Sequence, residues 1–209
     1  MGDVQVHALR GMDFSVKRGE FVAIMGPSGS GKSTAVNMVG SLDVPTKGRI
    51  MLDSHDISKL AESDLAIIRG KLIGFIFQQF NLIPTLTALE NVTLPMIFQG
   101  VNLEERNKRG SELLTLVELG ERMHHRPTEL SGGQQQRVAI ARSLVNDPDV
   151  VIADEPTGNL DSKTGIKVLD FLKKLNEEEN KTVIMVTHDR NISRVASRTE
   201  YLKDGKIVP

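Results

Sequence analysis

FVAIMGPSGSGKSTAVNMV, residues 21–39, decides how this chain must be read. Phe21 to Met25 is an apolar, partly β-branched run of strand length. GPSGSGKS (Gly26 to Ser33) interrupts it, and Thr34, Val36, Met38, Val39 and Leu42 then recur at helical spacing. Strand, glycine loop and helix in that order, with the pattern GxxxxGK[ST], make a cradle for phosphate. Gly26, Gly29 and Gly31 let the backbone curl so that successive N–H groups face one concavity at the N-terminus of the following helix. Lys32 supplies a point charge for terminal phosphates, and the Ser33 hydroxyl is suited to ligate Mg²⁺. The candidate binding stretch is Gly26, Pro27, Ser28, Gly29, Ser30, Gly31, Lys32, Ser33 and Thr34.

Three further constellations lie downstream. VVIAD (Val150 to Asp154) ends an apolar strand on an acid, followed at once by Glu155. Asp154 is placed to hold Mg²⁺ through water, and Glu155 to orient or deprotonate an attacking water. LSGGQQQ (Leu130 to Gln136) sets Ser131, Gly132, Gly133 and Gln134 at the start of an amphipathic helix. Ser131 reads as an N-cap, while the two glycines remove side chains where something approaches the backbone of a second anion-facing helix end. His188 directly follows TVIMVT and therefore sits at the carboxyl end of a strand, the edge where parallel sheets place ligands.

Around these motifs the chain alternates. RIMLD is a short strand, Ile57 to Arg69 a helix, and Leu72 to Phe77 a second apolar strand. Residues 79–145 carry helical patterns at 88–92, 103–119 and 134–145 and no convincing strand, which marks residues 78–145 as a helical insertion between core segments 1–77 and 146–209. Strands at 149–153 and 181–187 flank an amphipathic helix at 164–175, as in parallel βαβ units. The last segment turns at Asp204 and Gly205 as a hairpin. Lys and Arg total 26 against 27 Asp and Glu, so no global basic field exists to hold a nucleic acid. Seven Phe, one Tyr and no Trp leave few rings for stacking single strands. No cysteine is present to make a disulfide or thiolate site, and no apolar run is long enough for a membrane helix. The N-terminus lacks a secretory pattern, so a cytosolic protein is expected.

Together the motifs resemble the nucleotide-binding subunit of ATP-binding cassette (ABC) transporters over nearly the whole chain. GPSGSGKS resembles that family's Walker A, Gln78 its Q-loop glutamine, LSGGQ its signature, VVIADE its Walker B with catalytic Glu155, Asp161 its D-loop aspartate and His188 its switch histidine. The resemblance implies a P-loop NTPase of the α/β class: a mainly parallel sheet core, a small antiparallel β part and an inserted α-helical subdomain. It implies an ATPase using ATP and Mg²⁺, with Glu155, His188, Lys32 and Gln78 catalytic and Ser33, Gln78 and Asp154 around the metal. It also implies a homodimer in which each ATP lies between Walker A of one copy and Ser131, Gly132, Gly133 and Gln134 of the other, with Asp161 nearby.

FQQFNLIPTLTALENV, LSGGQQQRVAIARSL and ADEPTGNLDSKTG resemble the lipoprotein-release and macrolide-export group. That implies an exporter's ATPase, peripheral on the cytoplasmic face of the plasma membrane, paired with an integral membrane permease bearing an extracytoplasmic domain. A regulatory or non-transport ABC ATPase is the alternative. Phe80, Leu82, Ile83, Leu86, Leu89 and Leu94 either form a groove for a permease helix or serve as ordinary subdomain core. The family's N-terminal strand and its adenine-stacking aromatic have no counterpart in residues 1–13. Either the chain starts late or adenine is held without a stack, and a sheet edge is then expected to be unpaired.

Overall fold

A computed structural model describes residues 7–53 and 55–208. The strand at the head of the glycine loop, β1 (Phe21–Met25), is buried at every residue. It lies between two parallel neighbours, β6 (Thr182–Thr187) and β7 (Arg198–Lys203). With β4 (Ile73–Ile76), β5 (Val150–Asp154) and β8 (Lys206–Val208) these form one six-stranded sheet in the order β4-β5-β6-β1-β7-β8, in which only β8 runs antiparallel to its neighbour. A second ladder pairs β2 (Met51–Leu52) with β3 (His55–Asp56) and joins no third strand among the described residues. The mainly parallel core and small antiparallel part match expectation.

Alternation along the strands divides the core between two faces. Phe21, Ala23, Val151, Ala153, Val183 and Met185 pack in one cluster with Val138 and Ile140 of α5 (Gly132–Leu144) and Val168 and Leu172 of α6 (Ser162–Glu177). Ile24, Ile152, Ile184 and Val186 turn the other way, onto Ala35 and Val36 of α1 (Lys32–Val39). Each fully buried side chain of this size contributes about 1.5–3 kcal/mol. Because β strands alternate with helices on both faces, the carboxyl ends of β1, β4, β5 and β6 share one edge. The register fixes this: Met25 pairs with Thr187 and Tyr201, Asp154 with Val186, and Ile76 with Ala153. Gly26, Gln78, Glu155 and His188 all leave the sheet there.

Between β4 and β5 lie α3 (Ala88–Phe98), α4 (Leu103–Leu116) and α5, with α3 packed on both others. The first of these is capped by Thr87 and Glu90 and tolerates Pro95 within it. The expected helix over 57–69 is instead two pieces. Asp56 accepts from the Ser58 N–H and closes a 3₁₀ turn over Ile57–Lys59; Ala61 is extended, and α2 runs Glu62–Leu72. Glu62 and Asp64 in its first turn and Arg69 and Lys71 in its last complement the helix dipole, so α2 starts later and ends later than periodicity indicates. A short α7 (Arg190–Ser193), N-capped by Asp189, was not anticipated. The terminal hairpin turns on Asp204 and Gly205, both with positive φ, as a two-residue turn of the primed type requires. The question of an N-terminal strand and aromatic falls largely on residues 1–6, outside the described residues. No described helix is long and apolar enough to cross a membrane.

Candidate functional site

Lys32 opens α1, and its Nζ donates to the carbonyls of Gly26 and Pro27, both at 2.8 Å. The ammonium thus hangs over the mouth of its own loop. Gly31 precedes the helix with φ 101, and no side chain caps the first-turn N–H groups; no acid occupies that turn either. Gly29 is also left-handed, at φ 77, with open space where a β-carbon would stand. Ser30 is buried, yet its Oγ finds no protein partner. Uncapped N–H groups, an orphaned buried hydroxyl and a cation over one concavity fit a polyphosphate. From behind, the loop is braced by Gly205 N donating to the Ser30 carbonyl at 2.9 Å and by Ala8, whose carbonyl oxygen approaches Gly31 closely.

Across the same edge, Glu155 Oε1 and His188 Nδ1 meet at 2.8 Å. Glu155 holds φ 43, a left-handed conformation unusual for a bulky residue and costing on the order of 1–3 kcal/mol. Glu155 N donates to the Val186 carbonyl and Gly158 N to the Glu155 carbonyl, so sheet and turn both hold that geometry. A β-carbon on Gly158 would lie 3.1 Å from Gln78 Nε2 and 3.4 Å from Glu155 Oε2. Gln78, Glu155 and His188 therefore converge, and Asn159 Nδ2 donates to the Gln78 carbonyl at 2.8 Å. Beyond Gln78 the loop is pinned by Arg142, which donates to the carbonyls of Phe80 and Asn81; burial pulls its guanidinium below the usual range. The fully buried Asn91 donates to the carbonyls of Ile83, Leu86 and Thr87.

Asp154 ends β5 half-buried. Burial chiefly, and the charge of Glu155 next, push its carboxyl above the usual range, with Lys32 opposing. An acid whose pKa is higher folded than unfolded costs stability once pH rises above its unfolded value, and costs nothing when protonated in both states. Asp154→Asn is therefore expected to raise the melting temperature of the nucleotide-free protein near neutral pH. The gain should vanish toward strongly acid pH. Thermal scans of both proteins across pH check this, and an Asp154→Asn protein no more stable than its parent at neutral pH contradicts it.

Ser131 N-caps α5 as expected: its Oγ accepts from Gln134 N at 3.3 Å, while Ser131 N donates to Gln134 Oε1 at 2.8 Å. Gly132 and Gly133 have partners inside the chain. Phe80 lies against the first, and a β-carbon on the second would be 2.7 Å from Thr164 Cγ2. Asp161 N-caps α6, accepting from Lys163 N, Thr164 N and Thr164 Oγ1, and these bonds hold its carboxyl below the usual range. Among the described residues no hydrogen bond joins Ser131, Gly132, Gly133 or Gln134 to the glycine loop. One chain thus carries two anion-facing ends that do not meet.

A glycine loop, a Walker-type acid pair and a separate SGG helix end on one chain are the parts of a nucleotide cassette, and comparison with known proteins agrees. The family model described as ABC transporter matches residues 9–158. The chain belongs to the ABC transporter family. The cassette is 56% identical to the ATP-binding protein MJ0796 of Methanocaldococcus jannaschii, an alignment covering 99% of this chain and 90% of that protein. A dimeric structure of MJ0796 in a post-hydrolysis state bound to ADP and Pi superposes with a TM-score of 0.93 at 54% identity, covering 100% of this chain and 92% of that one. The macrolide export ATP-binding/permease protein MacB of Brucella melitensis is 49% identical, although the cassette spans only 32% of its length. The cassette is thus an ATP-binding, ATP-hydrolysing subunit that uses ATP with Mg²⁺.

Sequence reasoning overlooked Gln136 and Arg142. The signal for Gln136 was available: it is in phase with Ala139, Ile140, Ser143 and Leu144, the buried stripe of α5.

Proposed function

We propose that two copies of the cassette close head to tail around two ATP and drive a separate export permease from the cytoplasmic face of the plasma membrane. The observation that carries the reading is the Glu155–His188 pair, 2.8 Å apart, on the sheet edge that also bears the glycine loop. Gly26 to Thr34 take the phosphates, with Lys32 exchanging its two carbonyl partners for phosphate oxygens. Glu155 accepts the proton of the attacking water as its oxygen adds to the γ-phosphorus and the bond to the ADP oxygen breaks. His188 holds that carboxylate in place and faces the γ-phosphate. Ser33, Gln78 and Asp154, the last through water, would hold Mg²⁺, a hard-donor set suited to that ion, which would neutralise charge developing on the phosphates. Ser131, Gly132, Gly133 and Gln134, with Asp161 beside them, complete the site of the opposite copy; the solved MJ0796 dimers favour this arrangement.

The core at 1–77 and 146–209 binds ATP, and the subdomain at 78–145 meets the permease. Leu82 and Leu89 pack against the core cluster, so the proposed groove does not use them. Among the described residues of this subdomain the exposed large apolar side chains are Ile83, Leu116 at the end of α4 and, around the turn from α3 to α4, Ile97, Phe98 and Leu103; Phe98 is 80% exposed. An exposed ring of this size has no folding role and fits a partner's apolar helix. Phe98→Ser should leave melting temperature and ATPase activity of the isolated cassette unchanged, while abolishing co-purification in detergent with a four-helix permease bearing an extracytoplasmic domain. Failure of the unaltered cassette to recover such a permease would sink the transport assignment.

A further inference from the structure

Gln136 is fully buried on α5, at a position where the helix otherwise presents apolar or small side chains to the core. Its Nε2 donates to the Pro156 carbonyl at 2.8 Å, while its Oε1 has no protein partner. A buried amide satisfied on one side only is costly, and a Met or Leu would fill the same space without that cost. The one bond it makes therefore marks its use.

That bond lands beside the strained residue of the site. Pro156 is buried and has no N–H, so its carbonyl is its sole polar backbone group, and it follows Glu155 directly. Glu155, at φ 43, cannot rely on local preference to hold its conformation; something must pin the residue after it. Glu155 N is held by the Val186 carbonyl and the turn closes through Gly158 N on the Glu155 carbonyl, while Gln136 adds an anchor from the signature helix on the residue that follows. Arg142 ties the same helix to the loop after Gln78. The signature helix thus grips the backbone on both sides of the convergent Gln78, Glu155 and His188.

We infer that Gln136 is a positioning residue for hydrolysis: its amide, by holding the Pro156 carbonyl, fixes the turn that aims Glu155 at His188 and the water. This rests on Glu155 being the group that takes the proton. Gln136→Met keeps length and volume but loses the donor. It should lower kcat at least about tenfold while KM for ATP stays within about twofold and the melting temperature stays near that of the parent. In a Glu155→Gln background the same change should lower the residual single-turnover rate no further, because the turn then aims a side chain that cannot accept the proton. Parental kcat in Gln136→Met, or an equal fall in both backgrounds, overturns the inference. Should Gln136→Met not fold, Gln136→Asn, one methylene short of Pro156, gives the same readout; if neither accumulates folded, Gln136 serves stability and the inference fails. Substantial turnover by Glu155→Gln would instead remove the assignment of the base, an outcome separable from these.

Discussion

Glu155→Gln is expected to lower ATP turnover by about 10²–10⁴-fold, the range one positioned general base contributes, without loss of ATP binding. The amide matches the carboxylate in shape, so the left-handed turn at residue 155 and the neighbouring His188 keep their places. What disappears is the capacity to take a proton from water as the γ-phosphoryl group transfers. Product release then stops while the nucleotide still bridges two copies, so the variant should run as a stable dimer in ATP and a monomer without it. Phosphate release and gel filtration on the same preparation read both effects. Turnover within threefold of the parent, or no ATP-dependent shift in elution, contradicts the assignment.

Gly26→Ala should be far more damaging than the same methyl group at Gly29 of the glycine loop. The added β-carbon would stand 2.1 Å from the Leu202 carbonyl oxygen, 2.7 Å from Ser30 Oγ and 3.1 Å from the Leu202 carbonyl carbon. Leu202 is fully buried, pairs with Ile207 of β8 and directly follows Tyr201, the last β7 residue paired with β1, so its backbone has little room to retreat. Overpacking of this kind costs about 1–3 kcal/mol. Melting should fall by roughly 2–4 °C for each. Because the displaced segment is the phosphate cradle itself, ATP affinity should fall at least about tenfold, equivalent to about 1.4 kcal/mol. Gly29→Ala is the contrasting case: nothing lies within 4 Å of its β-carbon, so only the left-handed φ is strained. Equal damage from the two substitutions, measured by thermal scans and nucleotide titration, would show that space at Gly26 is not the constraint.

Much of this architecture was legible in the sequence because it rests on local signals. Phe21 to Val39 announces strand, loop and helix by a change of period from continuous apolar to helical, and Asp204 and Gly205 announce their turn by residue type. The split of residues 57–69 was not legible, since a single Asp56 side chain capturing the Ser58 N–H outweighs an apolar pattern that runs through both pieces. Exposure of Phe98 was equally hidden: in a list of apolar letters nothing separates Leu89, which the core covers, from a ring nine residues on that solvent covers. The convergence of Gln78, Glu155 and His188 depends on strand order, which follows from long-range pairing rather than from any one segment.

The pairing of Met25 with Tyr201 has a practical side. Tyr201 is the single tyrosine of a chain without tryptophan, so it accounts for essentially all intrinsic emission. It sits on the strand beside the residue that leads into Gly26, partly open to solvent. The protein thereby carries a built-in optical reporter at the threshold of its nucleotide loop, with no competing fluorophore to subtract and no label to attach.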